Sequence, residues 1–241
     1  MKQNILGVIG GLGPLATARF LELTVEMTDA ASEQDNLDMI IYNFPSIPDR
    51  TGYILGSNLR SPLPGLLSAA RALERDGAAY IAIPCVTAHY FADTLQSAVP
   101  VPIISILDET VRHLQENRIR SAGIMATDGT VFSGIFTKAL KDAGIAPIHP
   151  SKQRQADVMH LIYENIKAGK PAELDRFRAV QAELTEKGAE VIILGCTELS
   201  VIKRDYPIGP GFLDTREVLA QQAVLRCEKP LKQSFRRLIS Q

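Results

Sequence analysis

Short apolar runs rich in valine and isoleucine alternate along the chain with longer stretches in which apolar positions recur every three or four residues. The first kind of pattern predicts buried strands and the second amphipathic helices. Strands are expected at 5–9, 38–43, 79–84, 102–106, 121–126, 145–149 and 190–194, and helices at 14–31, 62–76, 88–97, 108–117, 130–143, 153–168, 171–187 and 215–228. Pro14, Pro62 and Pro171 stand near helix starts, where a missing N–H costs little, and Gly77, Gly144 and Gly188 suit the left-handed cap at helix ends. Strand and helix in alternation predict an α/β fold with a mostly parallel sheet.

An internal repeat changes this picture. Gly77-Ala78-Ala79-Tyr80-Ile81-Ala82-Ile83-Pro84-Cys85 and Gly188-Ala189-Glu190-Val191-Ile192-Ile193-Leu194-Gly195-Cys196 share one plan: a cap glycine, an apolar strand, then a cysteine, with both glycine and cysteine offset by 111 residues. A second echo pairs Leu6-Gly7-Val8-Ile9 with Ala122-Gly123-Ile124-Met125, 116 residues apart at the glycines. Two similar Rossmann-like lobes with a site between them are therefore expected. The first covers residues 1–104, with the segment 209–241 returning to it, and the second covers 105–208.

Composition narrows the function. With 26 basic and 27 acidic residues the formal net charge is -1, so no single-sign field favours nucleic acid or an anionic membrane surface, and a small-molecule substrate is the expectation. Leu6-Gly7-Val8-Ile9 comes too soon after the start for a secretory leader, and no apolar stretch reaches the length of a membrane helix. Three widely spaced cysteines form neither a disulfide framework nor a C-x-x-C zinc pair, which points to free thiols in a cytoplasmic protein without a metal.

In a parallel sheet the ligand crevice lies beyond the carboxyl ends of the strands, and Cys85 and Cys196 both follow a strand directly. A lone cysteine in that position is most often a small packing residue. Matched positions in two related halves place two thiols on opposite sides of one cleft. Racemisation needs that arrangement: a base removes a proton from Cα on one face, and an acid returns one on the other. A thiol titrates at about 8.5, near enough to neutrality for one to be thiolate and the other thiol. Helices expected to start near Thr87 and Glu198 would favour the thiolates and offer N–H groups to a carboxylate. Cys227, inside a helical pattern without a counterpart, is assigned a structural role.

The segments Cys85-Val86-Thr87-Ala88-His89 and Gly195-Cys196-Thr197-Glu198-Leu199 resemble the two signatures of the aspartate/glutamate racemase family. Gly10-Gly11-Leu12-Gly13-Pro14-Leu15-Ala16-Thr17 is similar to that family's first loop, and Ile47-Pro48-Asp49-Arg50-Thr51 to its substrate-arginine segment. Gly129-Thr130 with Ser133-Gly134, and the stretch from Tyr163 to Gly169, complete the likeness over nearly the whole chain. The resemblance implies a homodimeric, cofactor-independent amino-acid racemase in which Cys85 and Cys196 exchange the Cα proton without pyridoxal phosphate, metal or nucleotide. It further implies that Arg50 and Lys167 bind the side-chain carboxylate, that Gly11 belongs to the substrate loop, and that Thr87, Thr127 and Thr197 lie near the α-carboxylate or amino group. Glu198 and His89 are then candidates for adjusting the thiols or the substrate ammonium. Val86 departs from the family, which usually carries asparagine there, so an amide donor is lost and the preferred amino acid stays open between aspartate, glutamate and another.

Each of these residues also has a plainer reading: Arg50 as a solvated loop cation, Lys167 as a C-terminal helix residue before Gly169, His89 as a structural histidine, Glu198 as a first-turn acid. Three other functions compete. Gly11-Leu12-Gly13-Pro14-Leu15-Ala16 fits a dinucleotide fingerprint and would suit an NAD-dependent oxidoreductase, but the second strand, Ile40-Ile41-Tyr42-Asn43, lacks the expected acid at its end. A diacid isomerase or decarboxylase could use the same cysteines, although one-sided protonation needs only one. An amino-acid-binding protein would hold the ligand without exchanging its Cα hydrogen.

Overall fold

A computed structural model of the chain describes residues 4–240. The first half contains β1 (Leu6–Gly10), α1 (Pro14–Met27), β2 (Met39–Asn43), a short α2 (Arg50–Ile54), α3 (Leu63–Arg75) and β3 (Tyr80–Ala82). A 3-10 turn over Val86–Phe91, α4 (Ala92–Ala98) and α5 (Ile106–Glu116) lead onward. The second half runs β4 (Ser121–Met125), α6 (Asp128–Ser133), α7 (Ile135–Asp142), β5 (Ala146–Ile148) and α8 (Lys152–His160), which passes into a π-helical turn over Leu161–Ile166. It continues with α9 (Leu174–Glu186), β6 (Val191–Leu194), α10 (Thr197–Asp205), β7 (Phe212–Asp214) and α11 (Thr215–Arg226).

The strands form two sheets, ordered β2-β1-β3 and β5-β4-β6-β7, and every ladder is parallel. In each half the first strand in the chain is flanked by the second and third, so β1 corresponds to β4 and β3 to β6. The repeat extends to packing detail. A Cβ at Gly7 would lie 2.9 Å from Ala78 Cβ and 3.0 Å from Leu73, and one at Gly123 would lie 3.2 Å from both Ala189 Cβ and Leu184. Leu73 and Ala78 precede Leu184 and Ala189 by the same 111 residues as the cysteines. In each half, only a glycine on the central strand lets the helix before the third strand pack so close.

Two apolar clusters cover the outer flank of each sheet, one around Leu66, Leu73, Ile81 and Ile83, the other around Val158, Phe177, Leu184 and Leu194. A third joins the lobes, placing Leu6, Val8 and Phe20 of the first with Ile124, Ile193 and Leu213 of the second, and α11 with them. Fully burying a side chain of this size contributes about 1.5–3 kcal/mol, so this shared cluster fixes the position of one lobe on the other.

Several elements differ from expectation. No strand forms over 102–106: only Ile103 bridges to Ile81, because Pro100 and Pro102 have no N–H for a ladder. The helix expected over 130–143 is two helices, separated at Gly134 in the left-handed region (φ 68). The expected helix at 14–31 ends at Met27, and that at 171–187 starts only at Leu174. The segment 209–241 does not simply return to the first lobe. Phe212–Asp214 pairs with β6 in the second sheet, α11 packs against α1 and α5, and Leu231 then bridges to Thr28. Three residues between Gly211 and a helix are too few for a strand period to show in sequence.

Candidate active site

Cys85 and Cys196 are both in extended conformation, each at the N-cap of the helical segment that follows, with φ of -154 and -146. These segments start at Val86 and Thr197, one residue before the expected positions. Gly195 lets the second cysteine loop lie flat, since a Cβ there would approach Ala126 Cβ at 3.1 Å and the Met125 carbonyl at 3.2 Å. The two cysteines, 8% and 9% exposed, line one small pocket with groups from both halves. Leu12, Arg50, Val86 and Thr87 approach from the first, and Thr127, Lys167, Thr197 and Glu198 from the second. Free space inside is only about 20 Å³, room for roughly one water, so an amino acid requires the lining groups to move apart. Beyond it lies an outer pocket of about 430 Å³, which shares Asp49, Arg50, Lys167, Thr197 and Glu198 with the inner one and has Leu15, Ile47, Ile166 and Val201 in its wall.

The two sulfurs meet opposite charges. Arg50 starts α2 behind the Asp49 cap, and its Nη2 donates to the Leu12 carbonyl at 2.7 Å and points at Cys85 Sγ at 4.0 Å. Its Nη1 donates to the Pro48 carbonyl at 3.2 Å. Because these carbonyls are neutral, the guanidinium's positive charge is left for the sulfur or a bound carboxylate. Burial works against that charge, but Cys85 and Asp49 hold the Arg50 pKa above its ordinary value. Cys196 Sγ instead donates to Glu198 Oε2 at 2.8 Å. Burial, and then the Glu198 carboxylate, push the Cys196 thiol well above the ordinary range. The expected dipole effect of α10 on Cys196 is therefore outweighed: desolvation and a neighbouring anion hold this thiol protonated.

Lys167 follows the π-helical turn and holds its Nζ 3.9 Å from the Tyr163 ring centroid. Burial opposes its charge, yet Glu198, Cys196 and Tyr163 raise its pKa. Thr87, Thr127 and Thr130 put their hydroxyls 3.0–3.2 Å from one another, tying the first cysteine loop to α6 of the other lobe. Three hydroxyls in a closed ring spend their protons on one another, and because Thr127 Oγ1 also accepts from the Thr130 N–H, the lone pair left for an ammonium at the pocket is on Thr87. For a carboxylate the donors are the Thr197 and Glu198 N–H groups that open α10, the latter turned toward Cys196, because the Leu199 N–H already donates to the Cys196 carbonyl at 3.0 Å.

Two sequence candidates have other duties. His89 is buried, with Nε2 accepting from the Ile106 N–H at 3.2 Å, so Nδ1 carries the proton and donates to the Cys85 carbonyl at 3.0 Å. It holds the loop rather than lining the pocket, and burial lowers its pKa. Gly11 borders the outer pocket, but its N–H donates to Thr17 Oγ1 at 2.9 Å, and its φ of 87 with Phe44 backbone 2.4 Å from a would-be Cβ makes it a structural glycine. Asp49, Leu12 and Tyr163 were not singled out in sequence. Asp49 had a signal, standing directly before Arg50 in the segment that resembles the family's substrate-arginine motif. Cys227 is buried away from the pocket, and burial pushes its thiol up to about 11.

Among the described residues, no cluster of three or more His, Cys, Asp or Glu side chains is placed to hold a metal, and no helix is long and apolar enough to cross a membrane. The sequence profile of the Asp/Glu/Hydantoin racemase family matches residues 9–223. The broad specificity amino-acid racemase RacX of Bacillus subtilis (strain 168) is 26% identical over 227 residues, covering 91% of this chain and 96% of the relative. Among solved structures, aspartate racemase of Picrophilus torridus superposes with a TM-score of 0.83 at 29% identity, over 98% of this chain and 99% of that one. Glutamate racemase of Francisella tularensis in complex with D-glutamate shares the fold, with a TM-score of 0.65 at 18% identity over 94% and 81% of the two chains.

Proposed function

Because the chain belongs to the Asp/Glu/hydantoin racemase family and is an isomerase of the racemase type, we propose that it interconverts L- and D-aspartate, or glutamate, with one of Cys85 and Cys196 removing the Cα proton and the other returning a proton to the opposite face. The observation that carries this proposal is the opposite electrostatic setting of two thiols in one pocket: Arg50 beside Cys85, Glu198 beside Cys196. For one enantiomer, Cys85 as thiolate takes the Cα proton while Cys196, still protonated, delivers its own to the opposite face of the flattened carbanion. The roles exchange for the other enantiomer. Each turnover ends with the proton on the opposite sulfur, and the pair resets through solvent or Glu198.

The α-carboxylate, which gains negative charge in the carbanion, is placed at the Thr197 and Glu198 N–H groups of α10, where preorganised donors act most strongly. The ammonium goes to the Thr87 oxygen, and a side-chain carboxylate lies between Arg50 and Lys167. Two thiols supply both proton transfers, so the reaction uses no pyridoxal phosphate, nucleotide or metal. A cytoplasmic location fits three free, buried thiols. The homodimer rests on family resemblance alone, and light scattering tests it.

A second reading has its own support. Val86 adds apolar surface to the inner pocket, and the outer pocket's apolar wall leaves room for a longer side chain; the Bacillus subtilis relative is named for broad specificity. Incubation with a panel of L- and D-amino acids, followed by chiral chromatography, separates the two. Inversion of aspartate or glutamate supports the first, inversion of apolar or basic amino acids alone supports the second, and inversion of none contradicts both.

A further inference from the structure

Away from the cysteines, α1 of the first lobe and α10 and α11 of the second enclose a cavity of about 200 Å³. Arg216, in the first turn of α11, lines it and is only 5% exposed. Its Nε and Nη1 have no hydrogen-bond partner among the described residues, and the side chain forms no ion pair. Its backbone N–H is already taken, donating to Asp214 Oδ1 at 2.8 Å, and that oxygen also accepts from Ser200 Oγ at 2.7 Å. Most nearby acids are occupied: Glu217 with Lys203 at 2.6 Å, Glu22 with Arg19, and Asp205 with Arg204. Glu26 also borders the cavity. Across the cavity Arg19 contributes a second guanidinium, its Nε likewise without a partner.

The Glu22 and Glu217 carboxylates lie near enough to attract Arg216 but not to bond it, and a buried guanidinium whose N–H groups meet no acceptor is costly, because their desolvation is not repaid by a hydrogen bond. An anion in the cavity would repay it. We infer that the cavity is an anion site between the lobes, taking a compact oxyanion, phosphate or a short carboxylate, against the guanidinium of Arg216. The site is separate from the cysteine pocket and shares no lining residue with it. The rival arrangement is internal: Glu22 or Glu26 turns to Arg216 and satisfies it without a ligand.

Thermal unfolding of the full chain against inorganic phosphate, and in a parallel arm against malonate, at constant ionic strength set with chloride, tests the inference. A ligand that binds only the folded state raises Tm in a saturable way. The wild type is expected to show such a rise with at least one of the two anions, the responding arm identifying which oxyanion fits. Arg216→Met should lose it or weaken it at least tenfold, while Arg50→Met, in the cysteine pocket, should retain it. If Arg216→Met does not fold, Arg216→Lys serves: it keeps the charge but not the planar fork, and should bind severalfold more weakly. No saturable rise in the wild type with either anion, a rise untouched by substitution at Arg216, or a rise lost only in Arg50→Met would each overturn the inference.

Discussion

Cys196 Sγ donates its hydrogen bond to Glu198 Oε2 at 2.8 Å, so this thiol is held protonated by its neighbour as well as by burial. A carboxylate beside a thiol both accepts from the neutral form and repels the thiolate, and both effects raise the thiol pKa. Glu198→Gln removes the charge and should move Cys196 down toward the ordinary thiol range. The rate of iodoacetamide alkylation at Cys196 against pH, measured in a Cys85→Ser background, should rise at lower pH in Glu198→Gln. Racemisation should fall on the order of 10²-fold, the lower end of what a positioned acid or base contributes. An unshifted alkylation profile would show that Glu198 does not set the state of Cys196.

The imidazole of His89 ties the Cys85 carbonyl to the Ile106 amide while staying neutral. Its pKa is lowered by burial from 6.5, so below that value the unfolded chain binds more protons at this residue than the folded one, and stability falls as pH falls. His89→Gln should lose about 1 kcal/mol at neutral pH from the hydrogen bonds it weakens, and should flatten the acid side of the stability profile. Urea midpoints across the acidic range check both effects. Because His89 does not line the pocket, kcat is expected to fall while the pH dependence of kcat/KM keeps its shape.

Arg50, buried, and Lys167, which is exposed, stand at the junction of the inner and outer pockets, each charged. Lys167→Met should raise KM for aspartate and glutamate by roughly tenfold or more, the scale of a charged hydrogen bond of about 1.5–3 kcal/mol, and spare any apolar amino acid the enzyme accepts. Arg50→Lys should not restore an Arg50→Ala variant, because one ammonium cannot replace donors directed at once to Leu12, Pro48 and Cys85. Steady-state kinetics on paired acidic and apolar substrates read both outcomes.

The lobes also meet at a glycine. A Cβ at Gly129, in α6, would lie 2.8 Å from Thr51 Cα and 3.0 Å from Thr51 Oγ1, and Thr51 borders the inner pocket. Gly129→Ala should therefore push α2 from α6 and widen the cleft. Its helical position favours alanine intrinsically, by up to about 1 kcal/mol, so Tm should change little while kcat/KM falls. A large loss of Tm with full activity per folded molecule would contradict this account of the contact.

Much of the fold was legible because hydrophobic period and cap glycines act locally. The repeat at Gly77–Cys85 and Gly188–Cys196 marked two related lobes, and the chain positions of both cysteines followed from a general property of parallel sheets. What stayed hidden depends on tertiary contact. β7 is three residues long and exists because β6 offers it a neighbour. The 102–106 run has strand composition, but its prolines limit it to one bridge. At the site, charge type was readable and charge pairing was not: the dipole of α10 suggested a thiolate at Cys196, while the Glu198 side chain, folded back on that sulfur, favours the thiol. His89 was readable as near the cysteine, but not that both ring nitrogens are spent on backbone.

The central claim is that one thiol removes the Cα proton and the other delivers its own on the opposite face, and its most direct measurement is Cα hydrogen exchange in D2O, followed by NMR alongside chiral analysis of the product. Wild type, Cys85→Ser and Cys196→Ser are each incubated with L-aspartate and, separately, L-glutamate. The expected result is deuterium uptake at Cα with inversion in the wild type, and loss of inversion by about 10²–10⁴-fold in each single variant. Inversion that survives both substitutions would contradict the two-thiol mechanism.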